Sequence, residues 1–96
     1  MRLEWSPLAL ADREAIFSFT EARGSRTAVV ADERIAASVR RLRLFPEIGR
    51  VGRMAGTREL VVQGAPLIVI YRIERHTTIK VLRVLHSSRR WPAVAG

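Results

Sequence analysis

Three features of the 96-residue sequence predict a single α+β domain in the order β-α-α-β-β-β. The N-terminal half carries two runs of apolar residues at helical spacing, separated by a few residues around Gly24. The C-terminal half carries three short runs rich in β-branched and aromatic residues, joined by links too short for helical crossovers. The length holds one modest core and no second domain.

Residues Arg2 to Trp5 form a short first strand, with Leu3 and Trp5 on one face. In "SPLALADREAIFSFTEARG", Ser6 is a good N-cap and Pro7 suits the first helical position. Leu8, Ala11, Ala15, Phe19 and Ala22 recur at helical spacing, and Gly24 ends the helix. A second helix begins near Arg26 or Thr27, with Ala28, Ala31, Ile35, Val39, Leu42 and Phe45 as its apolar stripe. Arg34, Arg40, Arg41 and Arg43 give it a basic outer face, and Pro46 stops it. An antiparallel helical hairpin over residues 7–45 follows.

"PEIGRVGRMAGT" has three glycines and no periodicity, and reads as a loop. Strands are expected in "RELVV" (58–62), "PLIVIYRI" (66–73) and "TIKVLRVLH" (78–86), an antiparallel set over 58–86, with residues 87–96 as a basic tail. A helical hairpin on one face of such a sheet buries both apolar stripes and leaves the other face free for function. In the last strand, Ile79, Val81, Arg83 and Leu85 alternate with Lys80, Leu82, Val84 and His86; both sets are mainly apolar, so either can meet the helices.

Charge narrows the partners. Seventeen basic residues against nine acidic give +8, and sixteen of the seventeen are arginine. A GC-rich genome accounts for arginine over lysine but not for the positive excess, which suits nucleic acid, ribosome, an acidic membrane or an acidic protein. Without cysteine there is no disulfide or thiolate metal site. No apolar run approaches the ~18 residues of a membrane span, and no secretory signal opens the chain. Gly49, Gly52 and Gly56 do not precede a helix and lack the lysine of a phosphate loop.

The chemistry-bearing residues gather at the end of the last strand, in "RVLHSSRRW". Arg83, among apolar neighbours, is either paired across the sheet with Glu59 or Glu74 or presented as an anion ligand. His86 with Arg89 suits acid–base work beside a phosphate; a strand-end histidine bonded to backbone is the plainer alternative. His76 is the only other histidine and no carboxylate cluster accompanies it, so neither a metal nor a cofactor is expected. Ser87 and Ser88 lack the companions for acyl transfer. Trp91 either stacks on a base or folds back on the core with Pro92.

"LFPEIGR" (Leu44 to Arg50), "TREL", "IVIYRIE" (Ile68 to Glu74) and "IKVLRVLHSSRRWP", in this order, resemble the RelE/ParE superfamily of bacterial toxins from two-protein toxin–antitoxin modules. The resemblance implies a cytoplasmic toxin neutralised by a cognate, acidic and partly disordered antitoxin, as a homodimer or a toxin–antitoxin hetero-oligomer, with a role in plasmid stabilisation. RelE-like members cleave mRNA in the ribosome and resemble one another in an arginine shortly before the strand tyrosine. Here Leu67, Ile68, Val69 and Ile70 precede Tyr71, and a partial set of His86, Arg83 and Arg89 is what remains for catalysis. ParE-like members poison DNA gyrase, and the apolar tyrosine strand and "VLH-x-x-R" ending resemble theirs. The first reading is therefore a ParE-like gyrase inhibitor that contacts target or antitoxin through Arg58, Arg83, His86, Arg89, Arg90 and Trp91. The second is a ribosome-dependent endoribonuclease, and the third a basic nucleic-acid binder.

Overall fold

A computed structural model describes residues 1–89 and Trp91; Arg90 and residues 92–96 of the expected tail lie outside the described residues. The elements are β1 (Arg2–Trp5), α1 (Pro7–Glu21), α2 (Ser25–Leu44), β2 (Arg50–Val51), β3 (Arg58–Val61), β4 (Leu67–Glu74) and β5 (Thr78–His86). They form one five-stranded sheet in the order β1-β5-β4-β3-β2, with the helical hairpin against it.

Local chemistry sets the helix ends. The Ser6 hydroxyl accepts the Ala9 amide at 3.0 Å and donates to the Leu82 carbonyl at 2.8 Å, so the cap that starts α1 also fastens it to β5. Gly24 takes φ 140° at the start of α2, a conformation a side chain disfavours. At the other end Phe45 has left helical backbone (φ −130°, ψ 71°), as the residue before Pro46 must. A bidentate Arg13–Asp32 pair, at 2.6 and 3.0 Å, straps the two helices together.

Two pairings escaped the sequence pattern. β1 runs parallel to β5, so the sheet is mixed rather than wholly antiparallel. Residues 50–51, inside the expected loop, pair with Arg58 and Glu59 as a two-residue edge strand, too short to have a periodicity.

The main core joins Ile35, Val39 and Leu42 of α2 to Leu67, Val69 and Tyr71 of β4 and Ile79, Val81 and Val84 of β5. Burying each such side chain stabilises the fold by about 1.5–3 kcal/mol. The switch from Val81 to Val84 breaks strict alternation. Ile70 pairs with Arg83 and Tyr71 with Val81, which leaves Leu82 as a bulge and turns the rest of the strand over. Each alternating set expected for β5 is thus cut in two at Leu82.

The stripe expected for α2 is corrected at its C-terminal end, and the one expected for α1 wholly. On α2 Phe45 is exposed, whereas Ala28, Ile35, Val39 and Leu42 are buried. On α1 the inward positions are Ala9, Asp12, Arg13, Ile16 and Thr20; Leu8, Ala11, Ala15, Phe19 and Ala22 face outward. Ion pairs of Asp12 and Arg13, invisible to an apolar count, settle which side of α1 turns inward. The other sheet face is also less open than expected, because Ile68, Ile70 and Leu85 are buried there under Leu82 and Trp91.

Candidate functional site

β1 stops pairing with β5 at the Trp5–Val81 register, and α1 continues along the vacated edge. Asp12 occupies that edge. Its carboxylate accepts the Val84 amide at 2.9 Å and both Nε and Nη2 of Arg83, at 2.8 and 2.9 Å. The pair is largely out of water, with the Asp12 and Arg83 side chains 12% and 21% exposed. The hydrogen bonds it donates to Asp12 hold the Arg83 guanidinium pKa above its ordinary value. Arg83 therefore neither pairs with Glu59 or Glu74 nor stands free as an anion ligand. The Trp91 ring, packed on Ile68, Ile70 and Leu85, faces the same guanidinium at 5.8 Å.

His86 and Arg89 lie beyond this pair, in a tight turn. The Ser87 amide donates to the Pro66 carbonyl and the Arg89 amide to the His86 carbonyl. Ser88 contributes its amide, at 3.2 Å, and its hydroxyl, at 2.7 Å, to Nδ1 of His86. A backbone amide can only donate, so Nδ1 is an acceptor and the ring proton sits on Nε2. Both His86 and Arg89 are exposed.

Together they form part of the rim of a groove of about 950 Å³ between the helical hairpin and the end of the sheet. Ile16 and Phe19 of α1, Val30 of α2, and Leu67, Val84 and Leu85 of the sheet supply its apolar lining. Arg23, Arg26 and Arg34 join Arg89 around it. Arg34 donates to the Gly64 carbonyl and so closes one end of the groove against the β3–β4 turn. Phe19 is 69% exposed, with the Arg23 guanidinium 5.4 Å above its ring. Reasoning from sequence missed this groove because it assigned Phe19 to the core. The signal was present: α1 carries more apolar residues than one buried stripe needs.

Arg58 lies apart from the strand end, and its guanidinium donates to the carbonyls of Glu47 (3.2 Å) and Gly49 (2.8 Å). Beside it the buried Tyr71 hydroxyl donates to the Pro46 carbonyl at 2.7 Å and accepts the Gly49 amide at 3.0 Å. Burial pushes the Tyr71 phenol pKa up. The Glu59 carboxylate, also buried, accepts from the Arg53 amide and from Arg50. Burial alone would raise its pKa, but those bonds and the charges of Arg53 and Arg50 outweigh it and hold the carboxyl below its ordinary value. Among the described residues no group of three or more His, Cys, Asp or Glu is placed to hold a metal, and no helix is long and apolar enough to cross a membrane.

The arrangement offers a cation-rimmed apolar groove and a strand end whose central arginine is fixed structurally. Comparison with known proteins points the same way. Residues 3–91 match the family model for the ParE toxin of the type II toxin-antitoxin system, parDE. The Sinorhizobium fredii protein Y4kP, which carries a toxin name, is 36% identical over 93 residues, 97% of this chain and 95% of that protein. A chain of the chromosomal ParDE TA system from P. aeruginosa superposes with a TM-score of 0.82 at 27% identity, covering 90% of this chain and 95% of its own. The fold is also that of a chain in the intact E. coli RelBE toxin-antitoxin complex, with a TM-score of 0.67 at 14% identity over 92% of this chain and 98% of the other. The chain belongs to the ParE toxin family of type II toxin–antitoxin systems.

Proposed function

We propose that this ParE-family toxin stops growth in the cytoplasm as a protein inhibitor of DNA gyrase, and that a cognate antitoxin neutralises it by seating an amphipathic segment in the groove between hairpin and sheet. The observation that carries the choice of inhibitor over nuclease is the Asp12–Arg83 pair. Cleavage of RNA by its own 2′-hydroxyl needs a proton acceptor, a proton donor and cations on the phosphate. Of the candidate set, Arg83 is held by Asp12, and Tyr71, the only tyrosine, is buried against Pro46 and Gly49. His86 and Arg89 remain exposed on the groove rim, and Arg58 is turned onto backbone carbonyls. A contact inhibitor needs no such set.

The groove supports the antitoxin half of the reading. Its lining is apolar and its rim cationic, which suits an acidic chain that presents alternating apolar anchors. A net charge of +8 accelerates capture of such a partner at low ionic strength. The P. aeruginosa relative comes from a ParDE TA system, which supports an antitoxin as the partner.

The test uses purified gyrase and, in parallel, translating ribosomes. Gyrase should lose supercoiling activity and accumulate cleaved complexes as toxin is added, while the message on the ribosomes stays intact. Unchanged supercoiling at saturating toxin rejects gyrase as the target. New 5′ ends within codons that vanish with His86→Ala would establish the endoribonuclease instead.

A further inference from the structure

Residues 46–57, away from the groove and the strand end, form a loop held by many side-chain hydrogen bonds. Four inward polar side chains serve it. Tyr71 bonds Pro46 and Gly49, Arg58 bonds Glu47 and Gly49, Glu59 bonds Arg50 and Arg53, and the Thr57 hydroxyl donates to the Met54 carbonyl at 2.7 Å. Two glycines fit where nothing larger can: a Cβ on Gly49 would lie 2.6 Å from the Tyr71 hydroxyl, and one on Gly52 would lie 2.2 Å from that of Thr57. Such bracing fixes a loop that, with the end of α2, presents several apolar side chains to solvent. Leu44 and Val51 are 78% and 79% exposed, and Phe45, Ile48 and Met54 are exposed with them.

A loop that is held rigid and kept apolar on the outside loses little entropy on docking. The surroundings say what it docks to. Between positions 40 and 59 the chain has six arginines and two glutamates, and one of those glutamates, Glu59, is buried. Arg41, Arg43, Arg50 and Arg53 are exposed beside the apolar residues. Arg34, the groove residue of α2 nearest this surface, and Leu44 are 10 residues apart on one helix, about 15 Å along its axis, so this surface is separate from the groove.

We propose that Leu44, Phe45, Ile48, Val51 and Met54 form the surface by which the toxin grips its protein target, whose matching face is apolar at the centre and acidic at the rim. The inference rests on the reading of the chain as a toxin that works by contact, and not on gyrase being the target.

The experiment measures growth arrest on induction of the full chain, and rescue by its cognate antitoxin. Three variants are compared: the exposed double substitution Leu44→Gln/Val51→Thr, the rim substitution Arg43→Glu, and the groove substitution Phe19→Asp. All three should keep the wild-type circular dichroism spectrum. The first two should need at least ~10-fold more toxin for arrest and still bind antitoxin like wild type. Phe19→Asp should arrest growth like wild type and lose rescue. Full arrest by the Leu44→Gln/Val51→Thr variant overturns the proposal, as does its loss of antitoxin binding or a wild-type chain that fails to arrest growth. Arrest without any effect on gyrase supercoiling removes gyrase as the target and leaves the surface assignment standing.

Discussion

Asp12→Ala is the perturbation that tests the strand end most sharply. The substitution removes three acceptor contacts at once, two from Arg83 and one from the Val84 amide. A hydrogen bond to a charged group contributes about 1.5–3 kcal/mol, and breaking one side of a fully buried ion pair costs about 3–5 kcal/mol. Arg83 keeps a fifth of its side chain in water, so part of the guanidinium can rehydrate. We expect a loss of about 2–3 kcal/mol, which for a domain of this size lowers Tm by roughly 10–20 °C.

Urea and thermal unfolding followed by circular dichroism measure that loss. A cycle with Arg83→Met separates the pair from its surroundings. The double variant should cost clearly less than the sum of the singles, because each single leaves a charge behind. Functionally the double variant should still arrest growth at a temperature where it is folded. If each single change cost under about 0.5 kcal/mol and the two added simply, the pair would be ornamental. Arg83 would then be free for other work, and the argument against a nuclease would lose its support.

Other outcomes follow from the braced loop and the buried groups. Tyr71→Phe leaves the Pro46 carbonyl and Gly49 amide without their partner and should cost about 1–3 kcal/mol in urea unfolding. Gly49→Ala forces a methyl against the Tyr71 ring and should be at least as damaging, whereas Gly56→Ala meets no neighbouring atom and tests only the backbone strain of φ 79°. Glu59 has a folded pKa depressed below its ordinary 4.5, so its contribution is fully present above that value and is lost as pH falls through the folded pKa; Glu59→Gln should flatten the acid limb of a stability-versus-pH curve. Toxin–antitoxin association, followed by stopped flow, should slow steeply with added salt while the dissociation rate changes little.

Local chemistry made much of the fold legible. Ser6, Pro7, Gly24 and Pro46 marked helix ends that the structure places within a residue or two, because caps and proline restrictions act on adjacent residues. What escaped depends on partners far along the chain. β1 finds β5 across more than seventy positions, and no local pattern encodes that parallel register. The bulge at Leu82 turns over the far half of β5, so strict alternation wrongly grouped Arg83 with Ile79 and Val81 and separated Val84 from them. Arg83 itself was singled out from sequence for its apolar neighbours, yet its partner proved to be Asp12, a helix residue that no strand-pairing argument would reach. The groove went unseen for a related reason: periodicity identifies an apolar stripe on α1 but does not say whether the protein itself will cover it.

That last failure bears on what kind of molecule this is. An enzyme of this size would be expected to keep its unusual side chains unpartnered near a cleft, ready to change protonation or grip a substrate. Here the inward polar groups go the other way. Asp12 and Arg83 close the edge of β5, while Tyr71, Arg58 and Glu59 hold residues 46–53 in one shape. Among the side chains left exposed are large apolar ones, Phe19 at the groove and Leu44 and Val51 at the braced loop. Apolar surfaces lower solubility unless something binds them, and on our proposal the antitoxin covers the first and the target the second. The division has a consequence for the order of binding. If the surfaces are separate, antitoxin can join a toxin still on its target, and adding antitoxin to a preformed toxin–target complex should give a ternary complex, seen as added mass on immobilised target. If antitoxin instead binds only toxin that has already dissociated, the two partners share one surface.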